Sequence, residues 1–239
     1  MPYFYGFDWT YLALVLPCII FSMFTSARVN STFKKYSAQI SAFRLTGAQA
    51  AQRVLTTNGV SGVRIERIRG NLTDHFDPKT NVIRLSDSVY DNPSTAAIGV
   101  ACHEAGHAVQ YDTNYFPIRI RAAIIPLTNF GSKLAFPLII IGLLFSALGS
   151  FSNTLVYIGI ICFGLSFLFQ LVTLPVEFNA SKRALATIHS TGTLTKEEQE
   201  GARKVLNAAA MTYVAATAVS LAQLIRLILL FSGRGNRRR

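Results

Sequence analysis

Acidic residues are scarce in this sequence, and charge of either sign is missing from three long stretches. Only 12 of the 239 residues are Asp or Glu, against 23 Lys or Arg. Residues 9–27, 134–176 and 205–225 contain no charged side chain, and 51% of the chain is hydrophobic. Ordinary soluble domains carry more charge and interrupt their apolar stretches, so the composition excludes that class and predicts a membrane protein.

Cysteine is also rare, and the positions of the three cysteines exclude a disulfide framework. Cys18 and Cys162 lie inside uncharged stretches, and Cys102 adjoins His103. Such cysteines are typical of small buried apolar residues.

The basic excess gives a net charge of +11, which in a soluble domain would suggest nucleic acid. Here the basic residues flank apolar stretches and no nucleic-acid motif is present, so we expect no nucleic-acid partner. The lipid bilayer is the expected partner, with anionic lipid at the basic tail, residues 234–239.

No basic residue precedes the first apolar stretch, whereas Arg28, Lys34 and Lys35 follow it. This predicts a retained anchor whose amino terminus is outside and whose following segment is cytoplasmic.

One short motif in the chain carries recognisable chemistry. His103, Glu104 and His107 form the pattern H-E-x-x-H, after the helix start signal at residues 92–94. On a helix, residues four apart share a face, so both imidazoles can bind one metal ion and Glu104 can act as a general base beside it. Zinc suits this donor set best, although nickel, cobalt and iron accept the same donors.

A catalytic zinc site of this kind needs a third protein ligand. Glu177 is the main candidate, because a carboxylate directly after a 43-residue uncharged stretch is costly unless it is paired. Lys182 or Arg183 could supply that pairing instead of a metal. His75 and His189 are other possible donors.

The order of these segments predicts a mainly α, multi-pass membrane protein with a small, α+β, zincin-like catalytic part in the cytoplasm. Helices are expected from residues 47, 95, 177 and 195, and short strands at 63–68 and 82–85 are expected to form a hairpin or sheet edge. Residues 111–133 are expected to be a connection and 149–154 a turn between two spans. The last apolar stretch either spans the membrane or lies as a tilted, interfacial helix, because Arg226 interrupts it.

The predicted segments are an anchor (1–27), a cytoplasmic segment with the metal motif (28–133), a two-span hairpin (134–174), cytoplasmic helices (175–204) and a terminal apolar helix with a basic tail (205–239).

Three sequence blocks resemble the bacterial YugP-like family of membrane zinc metallopeptidases. They are HEAGH at residues 103–107, LPVEFNASKRAL at 174–185 and DHFDP at 74–78. More remotely, the block that begins at Glu177 is similar to the E-F-x-A-D block of the HtpX and Ste24-type membrane peptidases. In that wider group the Glu is the third zinc ligand and the Asp supports a ligand histidine. Ser181 holds the Asp position here and supplies no negative charge.

The resemblance implies hydrolysis of peptide bonds in membrane-associated or misfolded polypeptides, at one zinc per chain. The protein is then expected in the bacterial cytoplasmic membrane, with its active site at the cytoplasmic face. Two other classes stay open: a catalytically inactive zinc-binding scaffold or regulator, and a zinc hydrolase that acts on a lipid or small amide. The oligomeric state is not indicated. The candidates for a donor to the oxyanion are His75, Arg183, His189 and Tyr213.

Overall fold

Helices make up most of the computed structural model, which describes residues 8–145 and 149–232. The helices are α1 (Leu16–Ser37), preceded by a π-helical stretch (Tyr11–Val15), α2 (Gly47–Thr57), α3 (Thr95–Asp112), α4 (Phe116–Leu144), α5 (Ser150–Ser190) and α6 (Lys196–Ser232). The strands are β1 (Arg64–Ile68), β2 (His75–Asp77) and β3 (Val82–Ser86). The mainly helical class with a small α+β part is therefore confirmed.

The start signals of three helices act as the sequence predicts. Thr46 caps α2 by accepting a hydrogen bond from the backbone of Gln49, whose side chain accepts one from the backbone of Thr46 in return. Ser94 caps α3 by accepting from the backbone N–H of Ala97. At α6, Thr195 and Glu198 form the same reciprocal pair.

Of the two arrangements predicted for the strands, the hairpin is not formed, whereas β1 lies at a sheet edge. The two predicted strands exist as β1 and β3, but they pair in parallel, with Arg64 opposite Val82. The segment between them, which is rich in turn-forming residues, contains the additional strand β2, which pairs antiparallel with β3. The order β1-β3-β2 places the most apolar strand, β3, at the centre, because it is the strand with apolar residues to bury on both faces.

Two predicted interruptions of the helices were wrong. The segment predicted as a connection is helical from Phe116 onward, and α4 continues through Pro126 and Pro137. Likewise, the helix predicted to start at Glu177 is the second half of α5, which continues through Pro175. Proline is tolerated inside such long apolar helices where neighbouring helices, Ser or Thr side chains and small local adjustments satisfy the backbone groups that it frees. Helices α1, α4, α5 and α6 cross the predicted segment boundaries at residues 27, 133, 174 and 204, respectively.

The turn between α4 and α5 also lies earlier than predicted. Gly149 adopts a left-handed conformation with a φ of +64°. The chain is helical from Ser150 onward, so residues 150–154 belong to α5. Glycine takes this conformation without steric cost, which lets the turn end at Gly149.

The chain forms two compact units. An apolar helical unit comprises the described parts of Met1–Phe24, Arg121–Val172 and Tyr213–Arg239, and a mixed unit comprises Thr25–Ile120 and Thr173–Thr212. The core of the mixed unit is rich in alanine and includes Ala101, Ala105 and Ala184, none of them exposed to solvent. Small side chains let α3 pack closely against its neighbours.

In the apolar helical unit, an ion pair joins α6 to Asp8, which lies just before the first helix. Arg226 on α6 donates to the Asp8 carboxylate, with 2.8 Å between Nε and Oδ2, and its guanidinium lies 5.4 Å from the centre of the Tyr11 ring. Among the described residues, four helices are long and apolar enough to cross a membrane: Tyr11–Ser37, Phe116–Leu144, Ser150–Ser190 and Lys196–Ser232. The charge of Arg226 is thus neutralised within the unit. The basic tail expected to meet anionic lipid, residues 234–239, lies outside the described residues.

Candidate metal centre

Helix α3 supplies two imidazoles to the candidate centre. His103 and His107 are one helical turn apart, and their ring centroids lie 4.7 Å from each other with the planes at 83°. His107 is buried, and His103 is partly buried. The four-residue spacing therefore brings both rings to one side of the helix, as the sequence predicts.

Helix α5 brings a carboxylate to these rings. Glu177 Oε2 lies 3.3 Å from His103 Nε2 and 3.5 Å from His107 Nε2, and only 2% of the Glu177 residue is exposed. The ligand atoms of the three residues all lie within 4.8 Å of one another. Within residues 8–145 and 149–232, this is the group of His, Cys, Asp or Glu side chains that can hold a metal ion together.

The other ring nitrogen of each histidine has its own hydrogen-bond partner. His103 Nδ1 lies 3.0 Å from Ser181 Oγ. His107 Nδ1 lies 3.0 Å from the Oε1 atom of Gln110. Because both Nδ1 atoms are engaged, the two Nε2 atoms are left to face Glu177.

Electrostatics at the centre favour a positive charge. Burial acts to lower the pKa of His107, but the hydrogen bond and the negative charge of Glu177 outweigh it, so that pKa is raised above its ordinary value. A cation at the imidazoles is thus stabilised by the carboxylate.

Glu104, between the two histidines in sequence, is also buried, with 9% of the residue exposed. Burial raises the pKa of the nearby Asp74, hydrogen bonds from Ser86 oppose the rise, and the charge of Glu104 adds to it. The Asp74 carboxylate accepts from the backbone N–H of Ser86 at 2.7 Å. The negative charge of Glu104 therefore acts on the Asp74 carboxyl group on this side of α3.

The two remaining histidines proposed from the sequence have other hydrogen-bond partners. The Nδ1 atom of His75, on β2, lies 2.9 Å from the carbonyl oxygen of Thr73, and that of His189, at the end of α5, lies 3.1 Å from Gln199 Oε1. Both histidines are exposed. Tyr213 lies on α6 in the apolar helical unit, whereas the three donors lie in the mixed unit.

The two cations proposed as alternative partners of Glu177 have other environments. Lys182 is exposed, whereas Glu177 is buried. Arg183 Nε donates to Asn179 Oδ1 at 2.8 Å, and its guanidinium lies 5.8 Å from the centre of the Tyr115 ring.

Three residues with defined contacts were missed by the sequence reasoning. Gln110 and Asn179 connect α3 with α5 through a hydrogen bond of 3.0 Å. Gln110 follows His107 by three positions on an otherwise apolar helix, which is the signal that could have identified it. Glu198, near the start of α6, is buried, and its Oε1 atom accepts from the backbone N–H of Ala42 at 2.7 Å.

Comparison with known proteins gives two matches. Residues 11–232 match the family described as "putative neutral zinc metallopeptidase". The chain is 44% identical over 221 residues to a protein of Bacillus subtilis (strain 168) named "putative membrane protease YugP", which covers 92% of this chain and 96% of that protein. No solved structure matches the chain.

Proposed function

The chain belongs to the family described as putative neutral zinc metallopeptidases, and from that membership we propose that it hydrolyses peptide bonds at one zinc ion bound by His103, His107 and Glu177. The resemblance to the YugP-like family is confirmed by the matches, and the similar membrane protease and the four long apolar helices support a membrane protein. The observation that carries the proposal is the meeting of three buried or partly buried donor atoms from two helices.

The donor geometry fits zinc. In a tetrahedral site with bonds of about 2.0 to 2.1 Å, neighbouring donor atoms are roughly 3.3 to 3.4 Å apart. The distances from Glu177 Oε2 to the two imidazole Nε2 atoms are 3.3 and 3.5 Å. Two neutral imidazoles and one carboxylate are also the donor set of several catalytic zinc sites.

A zinc ion held there would polarise the scissile carbonyl and lower the pKa of a water molecule. Glu104 would accept a proton from the attacking water and deliver it to the leaving amine nitrogen. Because Glu104 is buried, its carboxylate is kept away from bulk solvent, so proton transfer is directed to the reacting groups. Ser181 and Gln110 would hold the two imidazoles in place.

The proposed substrate is a polypeptide in or beside the membrane, and we place the metal centre at the cytoplasmic face. Lys34 and Lys35 in the last turn of α1 support this orientation, because basic residues favour the cytoplasmic side. The contact between Asp8 and Arg226 supports four spans, because it joins the start of the first apolar helix to the end of the last one within one unit. Asp8 and Ser232 would then both lie on the outer side.

Replacement of Glu177 by Ala tests the ligand assignment. A surface ion pair contributes about 0 to 1 kcal/mol, whereas loss of a zinc ligand should weaken binding by orders of magnitude. Zinc retention is measured on purified protein by metal analysis under competition with a chelator. The matched control is Lys182→Ala, which removes an exposed charge from the same helix and should keep the zinc. Full zinc occupancy in Glu177→Ala would refute the assignment.

A further inference from the structure

The Gln110 side chain is buried between α3 and α5, and it is hydrogen-bonded at both ends. Gln110 is 0% exposed. Its Nε2 atom donates to the carbonyl oxygen of Val176 at 2.8 Å and to Asn179 Oδ1 at 3.0 Å. Its Oε1 atom lies 3.0 Å from His107 Nδ1.

These partners leave only one good orientation for the Gln110 amide. The carbonyl of Val176 can only accept, so the NH₂ group of Gln110 must face it. Rotation of the amide by 180° would place the Gln110 oxygen against two acceptor oxygens. A buried amide in that orientation would lose both hydrogen bonds and leave buried polar groups unsatisfied, which is unfavourable. The oxygen of Gln110 is therefore directed at His107.

A cation fixes the orientation of Asn179 in the same way. An arginine side chain has donors and no acceptor, so the Asn179 atom that meets Arg183 Nε at 2.8 Å must be the amide oxygen. That oxygen also receives the Gln110 NH₂ group. Arg183 lies beside the Tyr115 ring, which helps to hold the guanidinium in place.

The geometry points to Gln110 as a positioning residue that sets the tautomer of His107, an inference that rests on the proposed zinc site. Because the Gln110 oxygen can only accept, His107 must carry its proton on Nδ1. The lone pair is then on Nε2, the atom 3.5 Å from Glu177 Oε2. Asn179 and Arg183 hold Gln110 in this orientation. Ser181 acts differently on His103, because a hydroxyl both donates and accepts and selects no tautomer.

Two substitutions at Gln110 separate positioning from packing. Gln110→Met keeps the approximate volume and removes all the hydrogen bonds. Gln110→Glu keeps an acceptor for His107, but it removes the donor to Val176 and Asn179 and introduces a buried charge. If Gln110 positions His107, zinc affinity should fall roughly 10- to 100-fold in Gln110→Met and should be better preserved in Gln110→Glu. If Gln110 only fills space, zinc affinity should instead be lower in Gln110→Glu than in Gln110→Met.

Zinc affinity of the purified full chain is measured by competition with a chromophoric chelator, and thermal unfolding shows whether each variant is folded. Parent-like affinity in Gln110→Met, or weaker binding in Gln110→Glu than in Gln110→Met, would overturn the inference. If Gln110→Met does not fold, the half-buried Asn179 decides. Asn179→Asp keeps the acceptor and should bind zinc more tightly than Asn179→Leu, and equal affinities would count against the positioning role.

His103→Ala in the same assay distinguishes a failure of the positioning role from a failure of the metal centre. Loss of zinc in His103→Ala together with parent-like binding in Gln110→Met would reject the positioning role alone. Parent-like zinc binding in His103→Ala would reject the metal centre itself.

Discussion

The metal motif contains a glycine, Gly106, on which the approach of α3 to α5 depends. A Cβ atom added to Gly106 would lie 2.6 Å from the carbonyl oxygen of Ala180 and 3.2 Å from its carbonyl carbon. Both atoms belong to the backbone of α5, so no side-chain rotation can relieve the contact. Gly106→Ala should therefore push the two helices apart.

The size of the displacement follows from ordinary contact distances. A carbon atom approaches a carbonyl oxygen to about 3.3 Å or more, so the helices must separate by roughly 0.7 Å at this point. His103 and His107 lie on α3 and Glu177 on α5, where Glu177 Oε2 is now 3.3 and 3.5 Å from the imidazoles. Metal sites tolerate errors of only about 0.2 Å in their bond lengths. Zinc binding should weaken, and overpacking should cost about 1 to 3 kcal/mol of stability.

Gly99 provides the matched control on the same helix. A Cβ atom there would lie 3.4 Å from Ala202 Cβ, which is ordinary van der Waals contact. Gly99→Ala should be neutral or stabilising by up to about 1 kcal/mol, because alanine favours the helix over glycine. Zinc affinity by chelator competition and the melting temperature are measured for both variants. Equal zinc affinity in Gly106→Ala and Gly99→Ala would refute the reasoning.

Two further predictions concern pH and topology. Hydrogen bonds from Thr80 and Arg84 lower the pKa of Asp77 below its ordinary value of 3.8. The Asp77 carboxylate therefore stabilises the fold at pH values above 3.8, and this stabilisation is lost as the pH falls through the lowered pKa. Asp77→Asn should therefore lower the melting temperature equally at pH 7 and pH 5, and the difference from the parent should shrink below about pH 4; a difference that grows in acid would contradict this sign. In a background without the native cysteines, Ser150→Cys and Ser232→Cys should react with an impermeant thiol reagent in intact cells, whereas Ser61→Cys should react only after membrane disruption. Shielding of Ser232→Cys alone would show that α6 does not span.

Local sequence was sufficient for the features that depend on neighbouring residues. The caps at Thr46 and Ser94 and the shared face of His103 and His107 all follow from spacings of three or four residues. The position of Glu177 beside the imidazoles was anticipated from the cost of its charge after a long apolar stretch, although the sequence left other donors open.

Contacts between distant parts of the chain could not be predicted in this way. The hydrogen bond between Gln110 and Asn179 joins residues 69 positions apart, and that between Ala42 and Glu198 joins residues 156 positions apart. The parallel pairing of β1 with β3 is likewise not a local feature. Strand β2 lies between β1 and β3 in the sequence, but in the sheet it pairs with the other edge of β3. Such contacts depend on how the helices and strands pack, which local periodicity does not determine.

The most direct test of the account is the activity of Glu104→Gln, which keeps the size of the side chain and removes its capacity to accept a proton. Purified parent and variant are loaded with zinc, and their metal content and cleavage of a fluorescently labelled unfolded polypeptide are compared. The variant should retain about one zinc per chain, as the proposed ligand set predicts. Its cleavage rate should fall roughly 10²- to 10⁴-fold, because general-base catalysis is lost. A zinc-loaded Glu104→Gln variant that cleaves as fast as the parent would contradict the proposed catalytic centre.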